Sequence, residues 1–244
     1  AFDLSDNEYE QIMDGVIPMQ ASEDVKAIVN TVDAHILGKY TAFYGQYGTA
    51  GTTPFGTPGV ADATGIRKVL NNQLCPMDNR HVILNPDAEA AALGLQQFAD
   101  LNFSGSVDAM REGQLNRKLG MDWWMNQNIP VHTLNAVGAG AMTVNGVNAI
   151  AAVGAAQTLS IAKAAGVSWS AKVGDIISIP HGGVTGTKTY VITAAVTVVH
   201  TANTTVSIYP RLAVATAGGE VITATPSHTV NLALHRDAIA FANR

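Results

Sequence analysis

Val173-Gly174-Asp175-Ile176-Ile177-Ser178-Ile179 opens the part of the chain that decides the fold. A Gly-Asp turn leads into β-branched residues alternating with a polar one, the pattern of a strand with one buried face. The same signature recurs downstream at Thr189–Thr193, Val196–Val199, Val206–Tyr209 and Val221–Thr225, with turns at Gly182-Gly183, Asn203 and Gly218-Gly219. Strands this short and this regularly spaced describe an antiparallel β module of about 90 residues. Upstream of it, residues 136–156 are mostly Ala, Gly, Val and Asn and show no helical spacing. The module is therefore placed at residues 134–230. The apolar tail Asn231-Leu232-Ala233-Leu234-His235-Arg236-Asp237-Ala238-Ile239-Ala240-Phe241 is expected to return as a strand to whatever precedes it, which makes the module an insertion.

The preceding half differs in kind. Residues 1–133 carry 16 acids against 8 bases, and residues 134–244 carry 3 against 6, so −8 and +3 lie behind the net charge of −5. Apolar residues at Tyr9, Ile12, Met13, Val16 and Ile17 have helical spacing, with a kink or break expected near Pro18. The spacing resumes at Val25, Ile28, Val29, Val32, Ile36 and Leu37. With Ser22 as cap and Gly38 at the end, it predicts a helix over about 23–37. Residues 45–59 are rich in Gly, Thr and Pro and read as an irregular loop. Ile66, Val69, Leu70 and Leu74 predict a second helix, and His81–Leu84 a short buried strand. Asn85 caps a third helix that accepts Pro86 in its first turn. Alternation at Leu119, Met121, Trp123 and Met125 predicts a strand near 118–127.

Composition narrows the function. The 244 residues are 47% apolar, which argues against disorder, yet no apolar run approaches the ~18 residues of a membrane helix. Only 14% are charged, where about 25% is usual. Either partners cover much of the surface, or Thr, Asn, Gln and Ser keep it wet. Binding phosphates along a nucleic acid needs clustered cations, and the densest group is Arg117-Lys118 with Arg111 nearby. A single cysteine, Cys75, permits no intrachain disulfide and reads as a small buried apolar group. The opening Ala1-Phe2-Asp3-Leu4-Ser5-Asp6 has neither an initiator Met nor a signal-peptide pattern, so an upstream segment is taken to be missing.

No motif for chemistry is complete. No serine has the G-x-S-x-G setting, and the seven histidines show no zinc-ligand spacing. His181-Gly182-Gly183 reads as a turn. Gly138 and Gly140 lack the third glycine of a dinucleotide loop, and Lys188 lacks the preceding glycine of a P-loop. Sequons at Asn102-Phe103-Ser104 and Asn203-Thr204-Thr205 mean little without a secretion signal. Asp122 beside Trp123-Trp124 is the one polar-aromatic cluster suited to a sugar site, although an outward Asp on a half-buried strand is the simpler reading. No catalytic, metal-binding or cofactor-binding residue is assigned, and the chain is not expected to be an enzyme.

Four stretches, in order along the chain, resemble major capsid (coat) proteins of the P22-like type from tailed bacteriophages. Tyr47-Gly48-Thr49-Ala50-Gly51-Thr52-Thr53-Pro54-Phe55-Gly56 resembles a loop of that family. Arg111-Glu112-Gly113-Gln114-Leu115, leading through Leu119-Gly120-Met121-Asp122, is similar to its short turn and strand. Val173–Ile179 resembles the opening of its inserted domain, and Asn231–Ala238 its closing strand. The family's N-terminal arm and extended loop have no counterpart upstream of Ala1.

The resemblance implies an α+β, Hong Kong 97-type capsid fold with an inserted antiparallel β domain and a long spine helix within residues 6–40. It divides the chain into a peripheral segment (1–57), an axial domain (58–133), the inserted domain (134–230) and a return strand (231–244). It implies a structural protein that self-assembles into an icosahedral head shell in the host bacterial cytoplasm and resides in the virion. Its partners would be copies of itself in hexamers and pentamers, scaffolding and portal proteins, and packaged DNA held without sequence preference, with no membrane. Two other readings stay open. One is a β-rich carbohydrate-binding or capsid-decoration protein, suggested by the Thr-rich strands with Trp123, Trp124 and Trp169. The other is an enzyme with carboxylates assembled in space, in which Asp122 would be needed.

Overall fold

Two hydrophobic cores organise the chain, one inside a closed β-barrel and one between a mixed sheet and short helices. The computed structural model describes residues 16–56, 60–100, 105, 108–164, 166, 168–181, 186–200 and 202–242. The pattern at Tyr9, Ile12 and Met13, the sequon at Asn102 and the Gly182-Gly183 turn lie outside the described residues.

Helix α1 spans Val16–Leu37 and continues into a 3-10 turn at Gly38–Ala42. It starts earlier than 23, so Ser22 sits inside it and caps nothing. Pro18 falls in the first turn of the described helix. Helix α2 covers Ala61–Asn72, and strand β1, Arg80–Leu84, buries Arg80, Val82 and Leu84 on one face. Asn85 then caps α3, Pro86–Leu93, by accepting from the Ala88 N–H at 3.3 Å, with Pro86 in its first turn as anticipated. Short helices α4 (Gln96–Ala99) and α5 (Asp108–Glu112) follow.

The single strand expected near 118–127 is a hairpin. Strand β2, Arg117–Lys118, pairs antiparallel with β3, Met121–Met125, across Leu119 and Gly120. Both turn residues have positive φ, 55° and 78°, which reverses the chain in two residues as primed hairpin turns do. Helices α3 to α5 lie between β1 and β3, long enough a connection for those strands to run parallel. The tail supplies β14, Leu232–His235, antiparallel to the other edge of β1, which gives the sheet order β14-β1-β3-β2. The tail thus returns to the first module as a strand. Phe55, Phe98 and Trp123 meet beneath this sheet with ring centroids 5.8 to 6.1 Å apart.

Between β3 and β14 come β4 (Val131–His132), β5 (Met142–Val144), β6 (Gln157–Lys163), β7 (Trp169–Ala171), β8 (Ile176–His181), β9 (Gly186–Ile192), β10 (Val196–Val198), β11 (Thr204–Tyr209), β12 (Val221–Ala224) and β13 (His228–Thr229). Six of them close a barrel in the order β11-β6-β5-β12-β8-β9, every pair antiparallel. Closure removes the unpaired edges that an open sheet would present to other chains. A barrel this narrow is filled by side chains, here Leu159, Ile161, Ile177, Ile179, Tyr190, Ile192, Val206 and Ile208. The five strands predicted after residue 173 are all present. β4, β5, β6, β7 and β13 are additions.

The Hong Kong 97-type expectation does not hold. Strand exceeds helix, 30% against 25%, and the closed barrel is the largest packed unit. A spine helix would bury its apolar stripe against the body of the subunit. In α1 Val25, Ile28 and Val29 are each more than half exposed, and the remaining helices among the described residues run only 12, 8, 4 and 5 residues. The reason lies in what periodicity measures: an apolar stripe shows that a face favours cover and is silent about what provides it. The inserted domain likewise contains a closed barrel where only antiparallel strands were expected.

Candidate functional site

The junction of the two cores holds a buried polar relay. The 3-10 turn after α1 brings in Tyr40, β4 brings His132, and the turn before β8 brings Asp175. Tyr40 Oη lies 2.9 Å from His132 Nδ1, and His132 Nε2 lies 2.9 Å from Asp175 Oδ1. The second carboxylate oxygen accepts the Lys172 backbone N–H at 2.8 Å. Asp175 is fully buried and His132 nearly so. His228, opposite His132 in the β4–β13 pair, adds a ring 5.4 Å away. Gly174 keeps the turn close to Thr41, since a Cβ there would come within 2.8 Å of its side chain.

An acid-histidine-hydroxyl sequence has the outline of a nucleophile relay, but its chemistry runs the other way. Burial and then Asp175 push the Tyr40 phenol above its ordinary value. An activated hydroxyl nucleophile needs a base to remove its proton or a lowered pKa. A carboxylate on the far nitrogen of His132 is what a working triad also has, but here the phenol is made harder to ionise. The relay is a clasp that fastens the α1 turn and β4 to the barrel. Sequence reading missed it because its members lie 92 and 43 residues apart.

Asp122, the one residue marked for possible chemistry, stands on the outer face of the mixed sheet. Its carboxylate lies 3.8 Å from His81 Nδ1 and 3.9 Å from Arg117 Nη1, on strands directly beside it. Both separations exceed hydrogen-bond length, so its oxygens keep acceptor capacity for another donor. The Trp123-Trp124 pair is split by the strand: Trp123 is in the core, donating its indole N–H to Lys118 O, while Trp124 is 62% exposed on the Asp122 face. Trp169 is fully buried in the barrel and presents nothing to a ligand. Cys75 is half-buried against the first core. Gly138 and Gly140 are turn residues with positive φ, and Lys188 lies within β9. Among the described residues no group of three His, Cys, Asp or Glu is placed to hold a metal, and no helix is long and apolar enough to cross a membrane.

A second buried chain closes one end of the barrel. His181 Nε2 and the Tyr190 hydroxyl are 2.7 Å apart, and that hydroxyl accepts the Ala213 N–H at 3.3 Å. Burial pushes the His181 imidazole below its ordinary value; Glu220 pulls against this and Lys188 adds to it. Burial raises the Glu220 carboxyl, but N–H groups including those of Ala217 and Gly218, together with His181, outweigh that and hold it below the usual carboxylate range. Both depressions favour the folded state at neutral pH. A group with a lowered folded pKa loses its contribution as pH falls below its unfolded value. Urea midpoints should therefore drop in two stages on acidification, first below pH about 6.5 as His181 charges, then below about 4.5 through Glu220. His181→Gln should flatten the first stage and leave the second, and an unchanged profile in that variant would exclude His181 as its source.

Apolar side chains left in water are the other feature of the surface. On α1, Val25, Ile28 and Val29 follow i, i+3, i+4 spacing and face solvent, flanked by exposed Glu23, Asp24 and Lys26. Further along, Asp33 accepts from Asn126 Nδ2 at 2.7 Å and Asn128 Nδ2 at 3.1 Å, which fixes the C-terminal half of the helix at the end of β3.

No family model and no curated protein matches the chain. Among solved structures, one from Mycobacterium phage Che8 is similar over 93% of this chain and 65% of its own length, with 12% identity and a TM-score of 0.38. The chain therefore spans less than two thirds of that structure.

Proposed function

We propose that the chain is a structural subunit of a phage head shell, working by association between copies and carrying no catalytic centre. The observation that carries this reading is the apolar stripe of α1, held rigidly at one end and uncovered at the other. Fully burying a Val or Ile contributes roughly 1.5–3 kcal/mol, so covering three that are already about half buried contributes about 3 kcal/mol. That is less than the ~4–15 kcal/mol cost of immobilising a partner. One such contact holds nothing, and many repeated in a closed lattice hold a great deal. A charged fraction of 14% suits extensive mutual cover. The four stretches that resemble P22-like coat proteins support the same function, although the fold expected with them is not the one adopted.

On this reading the subunit's partners are further copies in capsomers, with scaffolding and portal proteins at assembly. DNA is contained without being read, because a chain of net charge −5 repels phosphate. Sedimentation velocity and negative-stain microscopy of the intact chain should reveal capsomers or uniform shells at raised concentration. Persistence as a monomer at every concentration would overturn the proposal.

A second reading has its own observation. Exposed Trp124 beside Asp122, with Arg117 and His81 at hand, offers a ring to stack a sugar on and an acceptor for its hydroxyls. As a carbohydrate-binding or decoration module, the chain would retain glycans from an array and lose them with Trp124→Ala. No retained glycan would dismiss this reading.

A further inference from the structure

Asn145-Gly146 is the one Asn-Gly pair in the chain, and it opens the connection between β5 and β6, residues 145–156. An asparagine followed by glycine can be attacked by its own backbone. The next peptide nitrogen closes a five-membered ring onto the side-chain carbonyl carbon, and glycine has no Cβ to obstruct the closure. The fold decides whether that nitrogen is accessible. Here Gly146 is exposed and Asn145 half-buried. The Gly146 N–H has no acceptor among the described residues, so taking its proton breaks no hydrogen bond. Its φ of 62° lies in the left-handed region that favours glycine. The neighbouring turn also keeps clear, since a Cβ on Gly218 would come within 3.0 Å of the Gly146 nitrogen.

The surrounding groups suit the reaction. Removing the Gly146 proton spreads negative charge across the peptide onto the Asn145 carbonyl oxygen. Asn148 Nδ2 donates to that oxygen at 3.2 Å, a donor placed where the charge develops. The nitrogen that would leave, Asn145 Nδ2, makes a long hydrogen bond of 3.3 Å to Ser160 Oγ. The same amides clamp the loop. Asn148 Nδ2 also reaches Gly146 O at 3.2 Å and Thr216 Oγ1 at 3.0 Å, and its oxygen accepts from Ser160 N at 2.9 Å. Gln157 Oε1 accepts from Ala151 N at 2.8 Å and Leu212 N at 3.2 Å, and its Nε2 donates to Ala149 O at 3.1 Å.

We infer that Asn145 is a self-modification site of the folded chain, and that one of its products loosens the clamp. Hydroxide takes the Gly146 proton, the nitrogen bonds to Asn145 Cγ, and the Cγ–Nδ2 bond breaks. The departing nitrogen takes a proton from water and leaves as ammonia, which regenerates hydroxide. Water then opens the cyclic imide at either carbonyl. Opening at Cγ restores the main chain with a carboxylate on the side chain of residue 145. Opening at the former main-chain carbonyl carries the chain through Cγ as an isoaspartate, one methylene longer. Either product brings a charge into residues 134–162, which contain no Asp, Glu, Lys or Arg. The longer link displaces the two carbonyls that Asn148 Nδ2 binds, and its hold on Thr216 and Ser160 weakens. Neither step needs a second copy of the chain.

The full chain, aged in mildly alkaline buffer with and without urea, provides the test. Peptide mass spectrometry with fragmentation should place conversion at Asn145 ahead of every other asparagine, at a native rate within a few-fold of the rate in urea and rising with hydroxide. Asn145→Gln, which would have to close a larger ring, should remain one species on isoelectric focusing while the parent gains an acidic band. Gly146→Ala should slow conversion several-fold in urea, where turn geometry plays no part. In the isoaspartate fraction, separated by ion exchange, amide exchange at Ser160 should quicken, because its N–H is bonded to Asn148 Oδ1. Asn145 left intact in the native chain while the urea-unfolded chain converts would show that the fold shields the pair, and would overturn the site. Unchanged exchange at Ser160 after conversion would overturn the loosening.

Discussion

Asp175→Ala should lower the unfolding free energy by about 3–5 kcal/mol, because it leaves two buried polar groups without their partner. Truncation strands His132 Nε2, 2.9 Å from the carboxylate, and the Lys172 N–H, 2.8 Å from it, at a site with no access to water. Each orphaned group costs about 1–3 kcal/mol. Asp175→Asn keeps an acceptor for one of the two and should cost about half as much. The consequence extends beyond stability because the relay joins the α1 turn, β4 and the barrel. In urea the parent should unfold in one transition, followed by tryptophan fluorescence and by far-ultraviolet circular dichroism. In Asp175→Ala the two signals should separate, with the mixed-sheet core lost before the barrel. Coincident transitions at the parent's midpoint would show that the clasp contributes nothing to coupling. Asp237→Ala, which removes an exposed carboxylate from pairs of 3.5 and 3.6 Å, should change stability by less than about 0.5 kcal/mol and serves as the control.

How far the sequence carried this architecture depends on whether local pattern and burial agree. Strands β8 to β12 were legible because most of their buried positions are Ile, Val or Tyr, with Ser, Thr and Lys recurring at the less buried ones. Strand β6 obeys the same alternation, with positions 157, 159, 161 and 163 buried, yet two of those are Gln157 and Lys163. Polar residues at the ends of the buried row hid it. Their burial is explained by the structure: Gln157 holds the loop before it, and Lys163 donates to the carbonyls of Ala139 and Gly140 at 2.9 and 3.3 Å. In β1, Arg80 breaks the pattern in the same way. It is buried without a carboxylate and donates to Pro76 O, Asn71 Oδ1 and Cys75 O, fastening the end of α2 to the sheet.

Helix α1 shows the opposite failure. Its stripe was read as apolar, and the resemblance to coat proteins made it a spine, but the structure covers only the end near Leu37, leaves Val25, Ile28 and Val29 open, and does not have the fold that the resemblance implied. Of the candidate surfaces, Asp122 and Trp124 were visible as a polar-aromatic neighbourhood. The clasp and the loop clamp were not, because their residues meet only after the barrel has closed.

Phe55→Ala should be the most damaging change in the first core, by about 3–5 kcal/mol, although Phe55 belongs to a loop whose composition promised no structure. Its side chain is 2% exposed, between Phe98 at 6.1 Å and Trp123 at 5.8 Å. Its backbone has φ 63° and its N–H donates to Asp62 Oδ2 at 2.6 Å, so the start of α2 fixes the loop in the conformation that points the ring inward. The alanine variant loses the buried ring and leaves a cavity against two aromatic neighbours that cannot collapse into it, since Trp123 is tied to Lys118 by its indole N–H. Phe55→Leu fills part of that space and should cost about 1–2 kcal/mol. If the loss came instead from the loop backbone, Asp62→Ala would match Phe55→Ala in urea titration. Packing predicts that it stays well below, near the 1–3 kcal/mol expected for one stranded N–H.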